Sequence, residues 1–322
     1  NNLRACNVIY SVASDVHYLQ CNFSSSDGIS SRGIEQSGGV SITIEEVRFL
    51  GLRNYGDCSY MHGGALLLRE KDSSLNAHLS NQNYAIKNCV FEDCQNLYGS
   101  GGAIYVSNIE FISIFGSKFI NCRSREEGTI LFIDETVELF EINSNCEMMD
   151  NNDPEHHLIV TGANNFIFEE FILKKDGNNN AKLIKVSGGQ DIIIQNILIE
   201  GMTGGITVED GTKSVYIKNC TFSDCPSGNN YVIYIENDDC SFVNNTITFT
   251  EGLSMQGKAI SITNNGDIEV SNNKFINCNP YSNQNNMNPS IYFNPPSNSE
   301  LPNTIHFNYN LMIFLNRIFF NN

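Results

Sequence analysis

Residues 101–122 read GGAIYVSNIEFISIFGSKFINC, and this stretch decides the fold. It opens on Gly101-Gly-Ala-Ile104, with a short strand at Ala103 to Val106. After a turn comes a second strand at Phe111 to Phe115, in which apolar residues alternate with polar or mixed ones, and the stretch closes on Phe119-Ile-Asn-Cys122. Period-two alternation marks a strand with one buried face. Neither strand is long enough to bury that face alone.

Both ends of the stretch recur. Phe91-Glu-Asp-Cys94, Phe222-Ser-Asp-Cys225 and Phe275-Ile-Asn-Cys278 repeat the closing form, while Gly63-Gly-Ala-Leu66, Gly204-Gly-Ile206 and Gly257-Lys-Ala-Ile260 repeat the opening. Ile104 lies 15 residues before Phe119 and Ile260 lies 15 before Phe275, so the two forms belong to one unit. Taking Ile104, Ile130, Ile159, Ile184, Ile206, Ile233, Ile260 and Ile291 as markers, the steps are 26, 29, 25, 22, 27, 27 and 31. Propeller blades need about 40 to 45 residues, which excludes that competitor. A unit of about 25 residues that cannot bury its own apolar face must stack on copies of itself.

The expectation is an all-β chain folded as a single-stranded right-handed parallel β-helix, a pectin-lyase-like solenoid of about nine coils. Phe91, Phe119, Phe222 and Phe275 would form one inward column. Residues 1–40 are expected as an irregular N-terminal cap, 41–310 as the β-helix and 311–322 as a C-terminal apolar segment. The segments 71–83 and 279–303 read as loops leaving the coils, where recognition usually resides.

Composition agrees. The chain of 322 residues holds 46 Asn and 36 Ile but 9 Ala and no Trp, which favours short strands and tight turns over helices. Asn88, Asn219, Asn244 and Asn272 each stand three residues before the marker of their coil. They suit left-handed corners, and as a column they would hydrogen-bond side chain to side chain. The formal charge of −17 excludes broad binding to nucleic acid. No stretch approaches the roughly 20 apolar residues of a membrane span.

Gly63 to Leu66 and Gly101 to Ile104, together with Phe242-Val-Asn-Asn245, resemble the repeat of the chlamydial polymorphic outer membrane protein family and its protist relatives. The Phe-x-x-Cys copies depart from that pattern, since Cys stands where Asn is usual. The similarity spans roughly residues 45–280. It implies a surface-exposed β-helix that adheres to host cells and self-associates.

Eleven cysteines without paired CxxC motifs point to an extracellular or cell-surface location. Asn22, Asn219 and Asn244 begin glycosylation sequons. Cys94 and Cys122 occupy one repeat position in adjacent coils, within disulfide range if in register, and a column of reduced inward thiols is the alternative. Acidic residues recur at the corner after the first strand. Asp134, Glu209, Asp210, Asp238, Asp239 and Asp267 would line one edge, where calcium would relieve their repulsion; a solvated acidic ridge is the alternative. His156 and His157 match no zinc spacing and read as a loop.

No catalytic residues and no cofactor other than calcium are expected, because the paired carboxylates and cation clusters of glycan-cleaving β-helices find no counterpart in the sequence. The leading expectation is a non-enzymatic surface or secreted protein engaging a host or matrix protein, a glycan, or its own copies. A polysaccharide lyase or hydrolase with an unfamiliar site is one alternative. A filament subunit assembled by end-to-end self-association is the other.

Overall fold

The computed structural model describes residues 6–12, 15–25, 31–54, 62–70, 82–134, 136–143, 146–149, 157–174, 182–201, 205–225, 231–250, 258–264, 266–278, 291–294, 305–313 and 318–320. These residues are all-β with no helix, arranged as a right-handed parallel β-helix. Each full coil carries three strands on three faces. Face A follows the glycine motif, face B is the second strand, and face C is the three-residue strand centred on the Phe marker. Two compact units are formed, Asn1–Ile167 with Asp176–Ala181, and Phe168–Lys175 with Lys182–Asn322.

In the first unit face A comprises Cys6–Ser11, Ser31–Ser37, Leu66–Arg69, Ile104–Ser107, Leu131–Ile133 and His157–Thr161. Face C comprises Asn22–Ser24, Arg48–Leu50, Val90–Glu92, Lys118–Ile120 and Glu147–Met149. In the second unit face C holds Ile172–Lys174, Leu198–Glu200, Thr221–Ser223, Thr246–Thr248, Lys274–Ile276 and Leu311–Ile313. The coil count differs slightly from the expected nine, and among the described residues face C holds eleven strands. The irregular cap expected over 1–40 is also corrected, because Cys6–Ser11, Asp15–Leu19, Asn22–Ser24 and Ser31–Ser37 are strands that pair parallel with the coil that follows. Within the expected C-terminal apolar segment, Leu311–Ile313 forms a face-C strand on Lys274–Ile276.

Register follows the inward columns. Phe23, Phe49, Phe91 and Phe119 stack at 5.2, 4.8 and 4.9 Å between ring centroids, with planes within 8° of parallel. Each such ring contributes roughly 1.5–3 kcal/mol through burial and about 0.5–1.5 kcal/mol more through ring contact. In the second unit the same column holds Ile199, Phe222, Ile247 and Phe275. On face A, Ile104 pairs with Leu131 and not with Ile130. Ile130 instead matches Ala103, since the N–H groups of Ala103 and Ile104 both donate to Ile130 O. The second glycine of the opening motif is needed for close approach: a Cβ on Gly102 would stand 1.9 Å from Thr129 O.

The corners explain the asparagines. Gln20, Glu46, Asn88, Asn196, Asn219, Asn244 and Asn272 all hold φ between 50° and 57° at the turn from face B to face C, the left-handed region that Asn tolerates best. The side-chain ladder expected of Asn88, Asn219, Asn244 and Asn272 is mostly built one residue later. Asn88, Asn219, Asn244 and Asn272 point to solvent, with Asn219 donating to Asn196 Oδ1 at 3.2 Å. Inside the coils, Cys220 N donates to Asn245 Oδ1, Asn245 N to Asn273 Oδ1 and Asn273 N to Asn310 Oδ1, at 2.8, 2.8 and 2.9 Å. Each of these amides returns a hydrogen bond to a carbonyl of a lower coil. A corner N–H buried without an acceptor would be costly, and this column supplies one.

Candidate functional site

Face A of the first unit gathers charge. Strand alternation turns Glu35, Leu67, Tyr105 and Phe132 outward in one in-register column. Ser37, Arg69 and Ser107 form a second, continued by Asp134. Outward residues of a β-helix ordinarily meet water, yet Leu67 is 2%, Arg32 3%, Ser100 6% and Glu35 7% exposed. Buried charge requires partners. Glu35 supplies them, accepting from Arg32 at 2.8 Å and from Arg69 at 2.7 Å. Arg32 Nε also donates to Gly63 O. Burial lowers the Arg32 pKa to about 10, against the opposing attraction of Glu35, so it stays cationic.

Above this triad a ladder of half-buried rings continues, with His62 on Tyr105 at 4.2 Å and Tyr105 on Phe132 at 5.2 Å. The Tyr105 hydroxyl donates to Asp134 Oδ2 at 3.0 Å, while Asp134 Oδ1 accepts from the N–H and hydroxyl of Thr136. Burial, then the charge of Asp134, pushes the Tyr105 pKa well up. His62 Nδ1 accepts the Ser100 N–H at 3.3 Å, and burial, the largest influence, lowers its pKa. A neutral ring with Nδ1 accepting carries its proton on Nε2. His62 therefore offers a donor and no base. Glu126, exposed, accepts from the Ser100 hydroxyl at 3.4 Å. The polar groups of this face are thus fixed by one another, which suits recognition better than proton transfer.

The residues singled out by sequence fall elsewhere, Asp134 excepted. Among the described residues no three His, Cys, Asp or Glu side chains come together as a metal site, and the side chains of Asp210 and Asp238 on the expected ridge are not among them. Asp134 lies in the first unit, held by Tyr105. In the second unit Glu209 faces Lys185 at 3.2 Å, and Asp239 accepts the Asp267 N–H at 3.0 Å. The corner expected there is part of a continuous strand: Ile206–Lys218 and Tyr231–Val243 each run from face A into face B, with an irregular register between Val208 and Thr212. This separates Glu209 from Asp239 along the strand. The side chains of Asp210, Asp238, His156 and His157 lie outside the described residues, as do segments 71–81, 279–290 and 295–304.

No disulfide joins Cys94 to Cys122 or to any other of the nine cysteines whose side chains are described. The two do stand one coil apart in register. Each thiol lies within hydrogen-bond reach of two carbonyls, Phe49 O and Glu92 O for Cys94, Phe91 O and Ile120 O for Cys122, and the two thiols also contact each other. Asn22, Asn219 and Asn244 are exposed.

Sequence reading missed Arg32, Glu35, His62, Arg69 and Tyr105. The available signal was the place immediately after each face-A marker, where Glu35, Leu67, Tyr105 and Phe132 all fall, and the one-residue slip at Ile130 hid it. Comparison with protein-family models, with curated proteins and with solved structures finds no match for this chain.

Proposed function

We propose that this chain is a non-enzymatic binding protein, displayed at a cell surface or secreted, that adheres to a host or matrix protein or glycan, or to its own copies, through its outward faces. The observation that carries the reading is the covered face A. Rigid inward columns hold outward charges and rings in place, and the acid–base groups among them are engaged internally. The resemblance to surface adhesins supports the same reading, and the three exposed sequons are compatible with a secretory route and glycan attachment. The cysteine count no longer supports that route, because buried thiols serve as small apolar residues at the corners. Self-association would take the form of coils stacking end to end, since an open β-helix end is an edge able to pair with another.

Adhesion of labelled protein to host-type cells and matrix, measured beside sedimentation velocity of the protein alone, tests this. Saturable adhesion or concentration-dependent association supports the reading; inert monomers that bind neither cells nor matrix overturn it. A polysaccharide-processing enzyme is the second reading, favoured by the meeting of Arg32, Arg69, His62, Tyr105 and Asp134 on one face.

A further inference from the structure

We propose that face A of the first unit, around His62, Tyr105 and Phe132, binds an uncharged polysaccharide. This rests on the binding reading above and names its ligand. The three rings, stacked at 4.2 and 5.2 Å and half-exposed, form an apolar strip across three coils, about 10 Å long as two strand spacings. Ser100 and Glu126 border it on one side, with Arg69, Ser107 and Asp134 on the other. A sugar ring has apolar C–H surface and a rim of hydroxyls that donate and accept. An apolar strip between fixed carboxylates, hydroxyls and a guanidinium matches both parts.

Charge decides the class of sugar. Both arginines of the face are held by Glu35, and His62 is neutral. Among the described residues Glu126 and Asp134 have no cation as a side-chain hydrogen-bond partner, in a chain of net charge −17. A uronate or sulfated polymer would bring its anions to these carboxylates without a free cation to receive them. A neutral sugar gives them hydroxyl hydrogens instead. A carboxylate has about four acceptor sites. Asp134 uses three within the protein and Glu126 one, so acceptor capacity remains on both sides of the strip.

The test is affinity electrophoresis of the full chain through gels containing neutral polymers (a β-glucan, a mannan, a xylan) or anionic ones (polygalacturonate, heparin), with Glu126→Ala, Glu126→Gln and Phe132→Ala in parallel. Unchanged thermal midpoints establish that each variant folds; Glu126 is exposed, so its variants serve if Phe132→Ala does not. The expected result is retardation by at least one neutral polymer and none by the anionic ones, with binding weakened about tenfold in Glu126→Ala and in Phe132→Ala. Preference for an anionic polymer, or neutral binding untouched by all three substitutions, overturns the inference. Absence of any glycan binding with cell adhesion intact overturns it too, while leaving the proposed function standing. Absence of adhesion, self-association and glycan binding together overturns both.

Discussion

At the scale of single residues, the fold depends on groups that resolve a local difficulty at each corner. Asn273 accepts the Asn245 N–H and donates to Phe242 O inside the coils. Asn273→Ala should therefore lower stability by about 1–3 kcal/mol, the cost of a buried donor left unmet, while Asn273→Ser loses less because Ser117 fills this corner position elsewhere and accepts the Cys89 N–H. Thermal or urea unfolding of the two variants checks the ranking. The thiols give a second test. Burial pushes Cys89 up to about 11 and Cys146, Cys220, Cys240 and Cys278 up to about 12, so the reactive thiolate is scarce near neutral pH. Brief native alkylation with peptide mapping should label Cys21, half-buried, ahead of the eight buried cysteines Cys89, Cys94, Cys122, Cys146, Cys220, Cys225, Cys240 and Cys278, all of which react once the chain is unfolded. His62 gives the third. Burial, opposed by Glu126 and Asp134 and aided by Arg32, holds its pKa below the ordinary 6.5. The unfolded chain then takes up a proton that the folded chain refuses. Stability contributed by this group is complete above about 6.5 and is lost as pH falls from there through the lowered value. His62→Gln should flatten that part of the thermal midpoint profile between neutral pH and about 5.

At the scale of strands and columns, the Phe ladder is the principal apolar element of the first unit. Phe91 is stacked between Phe49 and Phe119, so Phe91→Ala should cost about 3–5 kcal/mol. Phe91→Leu should cost less, since Ile199 and Ile247 fill the same column in the second unit. What was legible in the sequence follows this division between inside and outside. Inward columns and left-handed corners impose the same residue type at each coil, so Phe91, Phe119, Phe222 and Phe275 announced the helix. The first coils were illegible because Phe49-Leu-Gly-Leu52 keeps the chemistry and changes the letters: Gly51 takes the left-handed corner, and Leu52 fills the place of Cys94. The slip at Ile130 arises because Ile130 takes the place of Ala103, one residue before the face-A marker, where it accepts the same doubled hydrogen bond that Ala103 accepts from the preceding coil. Outward residues obey no such rule. Arg32, Glu35, His62, Arg69 and Asp134 come from coils of unequal length and share no motif, so the site became visible only once register was fixed.

At the scale of the whole chain, 36 acidic residues against 19 Lys and Arg set the kind of partner this protein meets. The two arginines of face A in the first unit are held by Glu35, and the carboxylates that border its ring ladder remain able to accept hydrogen bonds. Among the described residues no helix is long and apolar enough to cross a membrane. The account's central claim is that this β-helix binds without turning its ligand over. The direct measurement incubates the full chain with the neutral and anionic polysaccharides, quantifying in the same samples the bound polymer and its chain length. The account predicts saturable binding of a neutral polymer whose length is unchanged after prolonged incubation. Shortened chains or new reducing or unsaturated ends, appearing in proportion to protein and abolished by Asp134→Asn, would contradict it.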